Sequence, residues 1–302
     1  MCKNVLIHIG YPKTGTTWFQ NQFFVLHPQI GFFNDREWIA KMFINLDPFE
    51  FRPDDVKARI EKEFEETSEK KLFLLSHEGL SGRANYGGYL KKDVADRLKE
   101  TFPEAKILIF IRNQVEFIDS LYRQYVKMGG TCSLKNYLKD HLTHNLFSFA
   151  HLKFDRLINY YMESFGKDSV MVQLYEDFRE DHQKVVDDIC MFANIKRLEV
   201  GEMRKVIFNP SFSKFSVFIS RNVNKVFVRS KFNPCPILPV PKALGGERLI
   251  LKGIDRIFSG FVKRSYLLDE EVRKYVENYY RESNRQLERL LNRSLSEKGY
   301  AV

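Results

Sequence analysis

The sequence predicts an α/β protein with a central parallel sheet flanked by helices on both faces. Two observations lead there: short runs rich in β-branched and aromatic residues that are almost continuously apolar, and a longer stretch of helical period after each. A strand that is apolar on both faces belongs inside a parallel sheet, whereas a half-exposed strand would alternate. The composition agrees, since 302 residues with 44% hydrophobic and 29% charged side chains suit a soluble chain with a sizeable core.

The elements follow in order. Val5 to Ile9 reads as the first strand and Thr16 to Leu26 as its helix, with Ile30 to Phe33 as an edge strand. Pro53 to Glu66 is a helix, Leu72 to Leu75 a strand and Lys91 to Glu100 a helix. Ile107 to Ile111 is a strand followed by a helix over Val115 to Lys127. A helix over Phe154 to Phe165, a strand over Val170 to Leu174 and a helix over His182 to Phe192 complete the pattern. Beyond Asn209 the strand signals stop. The rest reads as helical, interrupted at Asn233 to Pro241 by four prolines that forbid both helix and central strand. One domain over residues 1–302 is expected, with an α/β core over 1–208 and a helical, basic region over 209–302.

Several classes are excluded. No stretch approaches the roughly 18 uncharged apolar residues of a membrane-spanning helix, and the N-terminus lacks a signal-peptide pattern. The four cysteines form no CxxC pair and the histidines lack metal-ligand spacing, so no metal is expected and a reducing cytoplasm fits. Charge is concentrated: between Ser211 and Tyr266 stand eleven basic residues against two acidic ones, Glu247 and Asp255, which accounts for the whole formal net charge of +9. Such a segment expects an anionic partner. Its apolar residues, Phe215, Phe218, Ile219, Val223, Val226 and Phe227, recur at helical spacing, and Ile250 to Phe261 repeats the design. Either these stripes pack on the core, or the segment 211–266 holds an anionic partner or touches an anionic membrane surface peripherally. No nucleic-acid partner is expected.

Chemistry concentrates first at Gly10-Tyr11-Pro12-Lys13-Thr14-Gly15-Thr16-Thr17-Trp18, which joins the first strand to its helix. A strand, a glycine-containing loop and a helix start form an anion site, because unpaired N–H groups and the helix dipole both favour negative charge. A nucleotide P-loop has lysine after its second glycine, where this chain has Thr16; the lysine lies earlier, at Lys13. A lysine within the loop would stand beside a single 5′-phosphate and its bridging oxygen, not beside β and γ phosphates with magnesium. An atypical small-molecule kinase and a non-catalytic nucleotide-binding or membrane-docking module are the alternatives at this point.

The run Tyr11-Pro-Lys-Thr-Gly-Thr-Thr-Trp18 resembles the sulfotransferase family, whose donor is 3′-phosphoadenosine 5′-phosphosulfate (PAPS) and whose loops read YPKSGTTW in cytosolic members and KTGTT in glycan-modifying ones. The resemblance implies PAPS as co-substrate, bound by Pro12 to Trp18. Lys13 would neutralise the leaving phosphate oxygen, Thr14, Gly15, Thr16 and Thr17 would hold the 5′-phosphate, and Trp18 would lie against the adenine. The family's arginine after a central strand and serine eight residues on correspond to Arg112 and Ser120, expected to grip the 3′-phosphate. The family's usual RNP reads RNQ here, with Gln114 replacing the proline. Val170 to Phe178 resembles the family's late strand, making Tyr175 a candidate neighbour of the adenine; Glu176 and Asp177 read as ordinary turn residues. The cytosolic family's RKGxxGDWKxxF loop is absent, and Gly245-Gly-Glu-Arg248 is the nearest substitute.

Sulfuryl transfer to a hydroxyl also needs a base opposite the leaving phosphate. Strand Leu72 to Leu75 delivers Ser76-His77-Glu78-Gly79 at its C-terminal end, where open α/β sheets bind ligands. Glutamate is the base of glycan-modifying members and histidine of cytosolic ones, so the resemblance implies Glu78 as catalytic residue with His77 in reserve. Strand alternation sends the two to opposite faces. The expected acceptor is a carbohydrate hydroxyl on a polysaccharide, glycolipid or lipid-linked glycan.

Overall fold

The computed structural model describes residues 4–65, 69–139, 146–199, 201, 213–238 and 266–302. Five strands, β1 (Val5–His8), β2 (Ile30–Phe33), β3 (Leu72–Ser76), β4 (Lys106–Ile111) and β5 (Val170–Leu174), form one sheet in the order β2-β3-β1-β4-β5. Every pairing is parallel. β1 and β3 are buried along their whole length, as their unbroken apolar runs require, and the expected edge strand at Ile30 takes the β2 position.

His8 is the exception within β1. Fully buried between apolar neighbours, it stands opposite Ser76 in the β1–β3 register, and its Nδ1 lies 2.7 Å from Ser76 Oγ. Burial pushes the His8 pKa down to about 3, against a smaller upward pull from Glu78, so the ring is neutral at ordinary pH. Phe19, Phe24 and Phe110 surround it edge-on.

The helices are α1 (Thr16–Trp18), which continues as a wider π-helical stretch over Phe19–Phe24, α2 (Arg36–Ile39), α3 (Pro53–Glu65), α4 (Lys91–Thr101), α5 (Gln114–Lys127) and α6 (Leu134–Lys139). After them come α7 (Phe154–Phe165), α8 (Tyr175–Glu180), α9 (His182–Phe192), α10 (Lys214–Phe227) and α11 (Glu270–Leu291). α7 and α9 keep the bounds expected from the sequence. Asp181 explains the start of α9, accepting the Lys184 N–H at 2.9 Å as an N-cap. The short α2, α6 and α8 were not read from the sequence.

The chain divides into two compact units. The first comprises Met1–Asn113, Ser148–Val206 and Tyr280–Val302, and contains the whole sheet; the second comprises Gln114–Phe147 and Ile207–Tyr279. The expected boundary at Asn209 lies outside the described residues, as do Gly245 to Arg248 and the stretch Ile250 to Phe261. Within the second unit, α10 does not bury the stripe that counting apolar residues picks out. Phe215 and Phe218 are exposed, and the buried face is Ser216, Val217, Ser220 and Asn224. Small side chains four apart let α10 approach α5, and the Asn224 amide donates to the carbonyls of Val126 and Gly130 at 2.8 and 2.9 Å, satisfying the end of α5. No helix among the described residues is long and apolar enough to cross a membrane.

Candidate active site

The loop after β1 is fastened to β4. Tyr11 N donates to the Phe110 carbonyl at 2.7 Å and Phe110 N to that of Gly10 at 2.9 Å. Gly10 has φ +89°, and a Cβ built there would stand 2.9 Å from Glu78 Cα, so glycine lets the loop start lie directly against the segment after β3. Inside the loop, the buried Thr14 hydroxyl donates to the Tyr11 carbonyl, and Gly15, at φ +89°, begins the helix by accepting from Trp18 N at 2.8 Å. The first N–H groups of α1 thus have no acceptor one turn back, which is the arrangement that takes a phosphate. Pro12 is half-buried and Thr16 buried, while Lys13 and Thr17 are exposed. Lys13 holds φ +66°, an uncommon conformation for a side chain with a Cβ.

Arg112, at the end of β4, joins this loop. It is 5% exposed, donates to the Lys13 carbonyl at 3.2 Å, and stacks its guanidinium 4.5 Å from the centre of the Tyr175 ring. Tyr175 therefore supports the arginine. Trp18 is buried against Phe19, Phe178 and His182, with ring centres 5.1, 5.0 and 6.0 Å away, so its ring forms part of the wall behind the loop. The structure thus gathers Lys13, Thr14, Gly15, Thr16, Arg112 and Tyr175. Ser120 is half-buried on α5 in the second unit.

Glu176 and Asp177, read from the sequence as ordinary turn residues, lie in α8 and make long-range contacts that the sequence reading did not include. Glu176 is buried and accepts from Asn113 N at 2.9 Å and from the Tyr300 hydroxyl at 3.2 Å, while the Asn113 amide donates to the Gly299 carbonyl. Asp177 pairs with Arg293 at 2.5 Å and with Lys298 at 3.2 Å. Residues Arg293 to Tyr300 are thereby tied to α8, which carries Tyr175. Nothing in the local pattern around Glu176 signals partners 63 and 124 positions away.

β3 ends at Ser76, and a short turn over Glu78–Ser81 follows at once, so strand alternation stops before it can separate His77 from Glu78. His77 turns back on its own chain: its Nδ1 accepts the Gly79 N–H at 2.9 Å. Burial pushes its pKa down to about 4, Glu78 pulls upward and Arg36 and Arg83 push down further, so the ring is neutral. Glu78 is met by Arg36, whose Nη2 lies 2.7 Å from both carboxylate oxygens. Burial alone would raise the Glu78 pKa, but the hydrogen bonds and charge of Arg36, with His77, outweigh it and hold the carboxyl below its usual value. The glutamate is consequently ionised, with its backbone against Gly10, while His77 spends one ring nitrogen on its own turn. Among the described residues no group of His, Cys, Asp and Glu could hold a metal ion.

Residues 6–199 match the profile described as the sulfotransferase family. Among solved structures, a sulfotransferase from Alicyclobacillus acidocaldarius superposes with a TM-score of 0.62 at 17% identity, covering 98% of this chain and 99% of its own. The sulfotransferase domain of the Synechococcus PCC 7002 olefin synthase gives a TM-score of 0.43 at 12% identity, over 92% of this chain and 94% of its own. A mouse sulfotransferase complexed with PAP, adenosine 3′,5′-bisphosphate, gives 0.37 at 17% identity, over 66% and 61%. No curated protein matches the chain.

Proposed function

The chain belongs to the sulfotransferase family, and from that premise we propose that it moves the sulfuryl group of PAPS to a carbohydrate hydroxyl, with Glu78 as base. PAPS is the donor and PAP the product. The single observation that supports the assignment of the base is the close approach of Gly10, at the start of the loop, to the Glu78 backbone, whose carboxylate is paired with Arg36.

The chain's own residues divide the work. Backbone N–H groups of Thr14 to Thr17 and the Lys13 ammonium meet the 5′-phosphate, and Lys13 balances the charge that gathers on the departing oxygen. Arg112, stiffened by Tyr175, takes the 3′-phosphate. Glu78 receives the acceptor's proton; a loose transition state asks little of a base, so a carboxylate held ionised by Arg36 suffices. A glutamate at this position is what the resemblance associates with glycan-modifying members, which supports a carbohydrate acceptor on a polysaccharide, glycolipid or lipid-linked glycan.

The test is transfer of labelled sulfate from PAPS to glycan and to phenolic acceptors, without added metal. Turnover on glycans alone supports the reading; turnover on phenols alone discards the carbohydrate acceptor. The exposed Phe215 and Phe218 beside Lys214 on α10 support peripheral contact with an anionic bilayer, where a glycolipid acceptor would be presented. Salt-sensitive sedimentation with anionic but not neutral vesicles is expected, and equal negligible binding to both removes that contact.

A further inference from the structure

Arg36 reaches Glu78 with one nitrogen and Gln20 with the other. Its Nη1 lies 2.6 Å from Gln20 Oε1, while Nη2 holds the Glu78 carboxylate. Because a guanidinium only donates, the Gln20 amide must turn its oxygen to Arg36 and its NH2 group the other way. There the NH2 group meets Ser76 Oγ at 3.0 Å and the Ser76 carbonyl at 3.3 Å. Ser76 Oγ in turn meets the neutral His8 ring at 2.7 Å. The result is a continuous chain of hydrogen bonds joining Glu78, Arg36, Gln20, Ser76 and His8, with Arg36 donating to both Glu78 and Gln20, and its members Gln20, Ser76 and His8 are all buried.

The placement of Gln20 gives this chain its meaning. It belongs to the helical segment that α1 starts at the phosphate loop, yet its side chain terminates on β3 and on Arg36 of α2. Arg36 is 39% and Glu78 34% exposed at their side chains, so an unsupported pair here would sample many geometries. Fastening the guanidinium from behind removes that freedom without a second buried charge.

We propose that Gln20 and Arg36 are positioning residues of the transfer reaction, holding the Glu78 carboxylate in one orientation and tying that orientation to the helix that begins at the donor loop. The inference rests on the reading of Glu78 as base. The charged and titratable groups facing Glu78 are Arg36 from α2, His77 from its own turn and His8 from β1, with Arg83 facing His77.

The experiment compares Gln20→Leu, Arg36→Gln, Arg36→Lys and Glu78→Gln by the pH dependence of kcat, by KM for the acceptor and by calorimetric affinity for PAP. Gln20→Leu is expected to lower plateau kcat about tenfold and to move the acidic limb of the profile to higher pH, leaving PAP affinity unchanged. Arg36→Gln should do the same more strongly, and Arg36→Lys should restore the position of the limb but not the full plateau. If Glu78→Gln is inactive while Gln20→Leu and Arg36→Gln keep the native plateau and limb, this inference fails and the base assignment stands. If Glu78→Gln is fully active, the base assignment itself fails. Should Gln20→Leu not fold, the two Arg36 variants decide the question, since that side chain is partly exposed.

Discussion

The two segments that meet at Gly10 are built by opposite means. In the loop over Gly10 to Trp18, geometry comes from the backbone: positive φ at Gly10, Lys13 and Gly15, a buried Thr14 hydroxyl bonded to Tyr11, and an exposed ammonium at Lys13. In the turn after β3, geometry comes from side chains: His77 folds onto Gly79, Ser81 Oγ donates to the Glu78 carbonyl at 2.9 Å, and Glu78 is clasped by Arg36. The loop is shaped by where amides point, and the turn by a network of partners. Changes in the first should cost chemistry with little loss of fold, and changes in the second should cost orientation.

Lys13→Ala tests the first half and carries the largest effect. Transition-state stabilisation should fall by on the order of 3 kcal/mol or more, read as the loss in kcat/KM for PAPS, with an unchanged melting temperature. A mutant with near-native transfer would detach this loop from the donor. Glu78→Gln is next: kcat should drop about a hundredfold with PAP affinity intact, and His77→Ala should fall less than tenfold. A dead histidine mutant beside an active glutamine mutant would reverse the two roles.

The seam between the halves can be loosened by acid. The His8 pKa lies at about 3 in the fold, against 6.5 when the ring is exposed, so the unfolded chain binds the proton first as pH falls. The contribution is complete above pH 6.5 and is lost as pH drops toward 3; at pH 5 it should be about 2 kcal/mol smaller. Urea unfolding at pH 7.5 and pH 5 measures this, and His8→Leu should shrink the difference by about that amount without abolishing it, because burial also holds the His151 and His77 rings neutral. Gly10→Ala is expected to cost at least about 2 kcal/mol of stability with the smallest effect on turnover, because the new methyl would meet the Glu78 backbone and strain the positive φ. Its signature is a fall in kcat together with that destabilisation, which separates it from Lys13→Ala; unchanged kcat and stability would mean the two segments are not held in contact.

The sheet was legible because central parallel strands announce themselves as apolar runs, and the loop because lysine, glycine and threonines crowd one helix start. The wiring was not. Nothing about Arg36 in sequence ties it to Glu78, 42 positions on, and Gln20 reads as one more helix residue. Tyr175 and Trp18 were legible as parts of the site region but not in their contacts, since a ring's neighbours depend on packing across the sheet. On α10, hydrophobicity pointed to Phe215 and Phe218, while burial follows Ser216, Ser220 and Asn224 because the partner of Asn224 is the end of another helix.

The strand order also sets a timetable. β1 lies at the middle of a sheet in which every pairing is parallel, and its contact with β3 joins residues 68 positions apart, as His8 and Ser76 show. Such long-range closures carry a high entropic toll before any contact rewards them, so this sheet should form slowly relative to its helices. Lys13, Glu78 and Arg112 each follow the C-terminal end of a different strand, β1, β3 and β4. None of the three meets the others until those strands have paired, and in a refolding experiment PAP binding should therefore return with the slowest structural phase, after helical signal has already recovered.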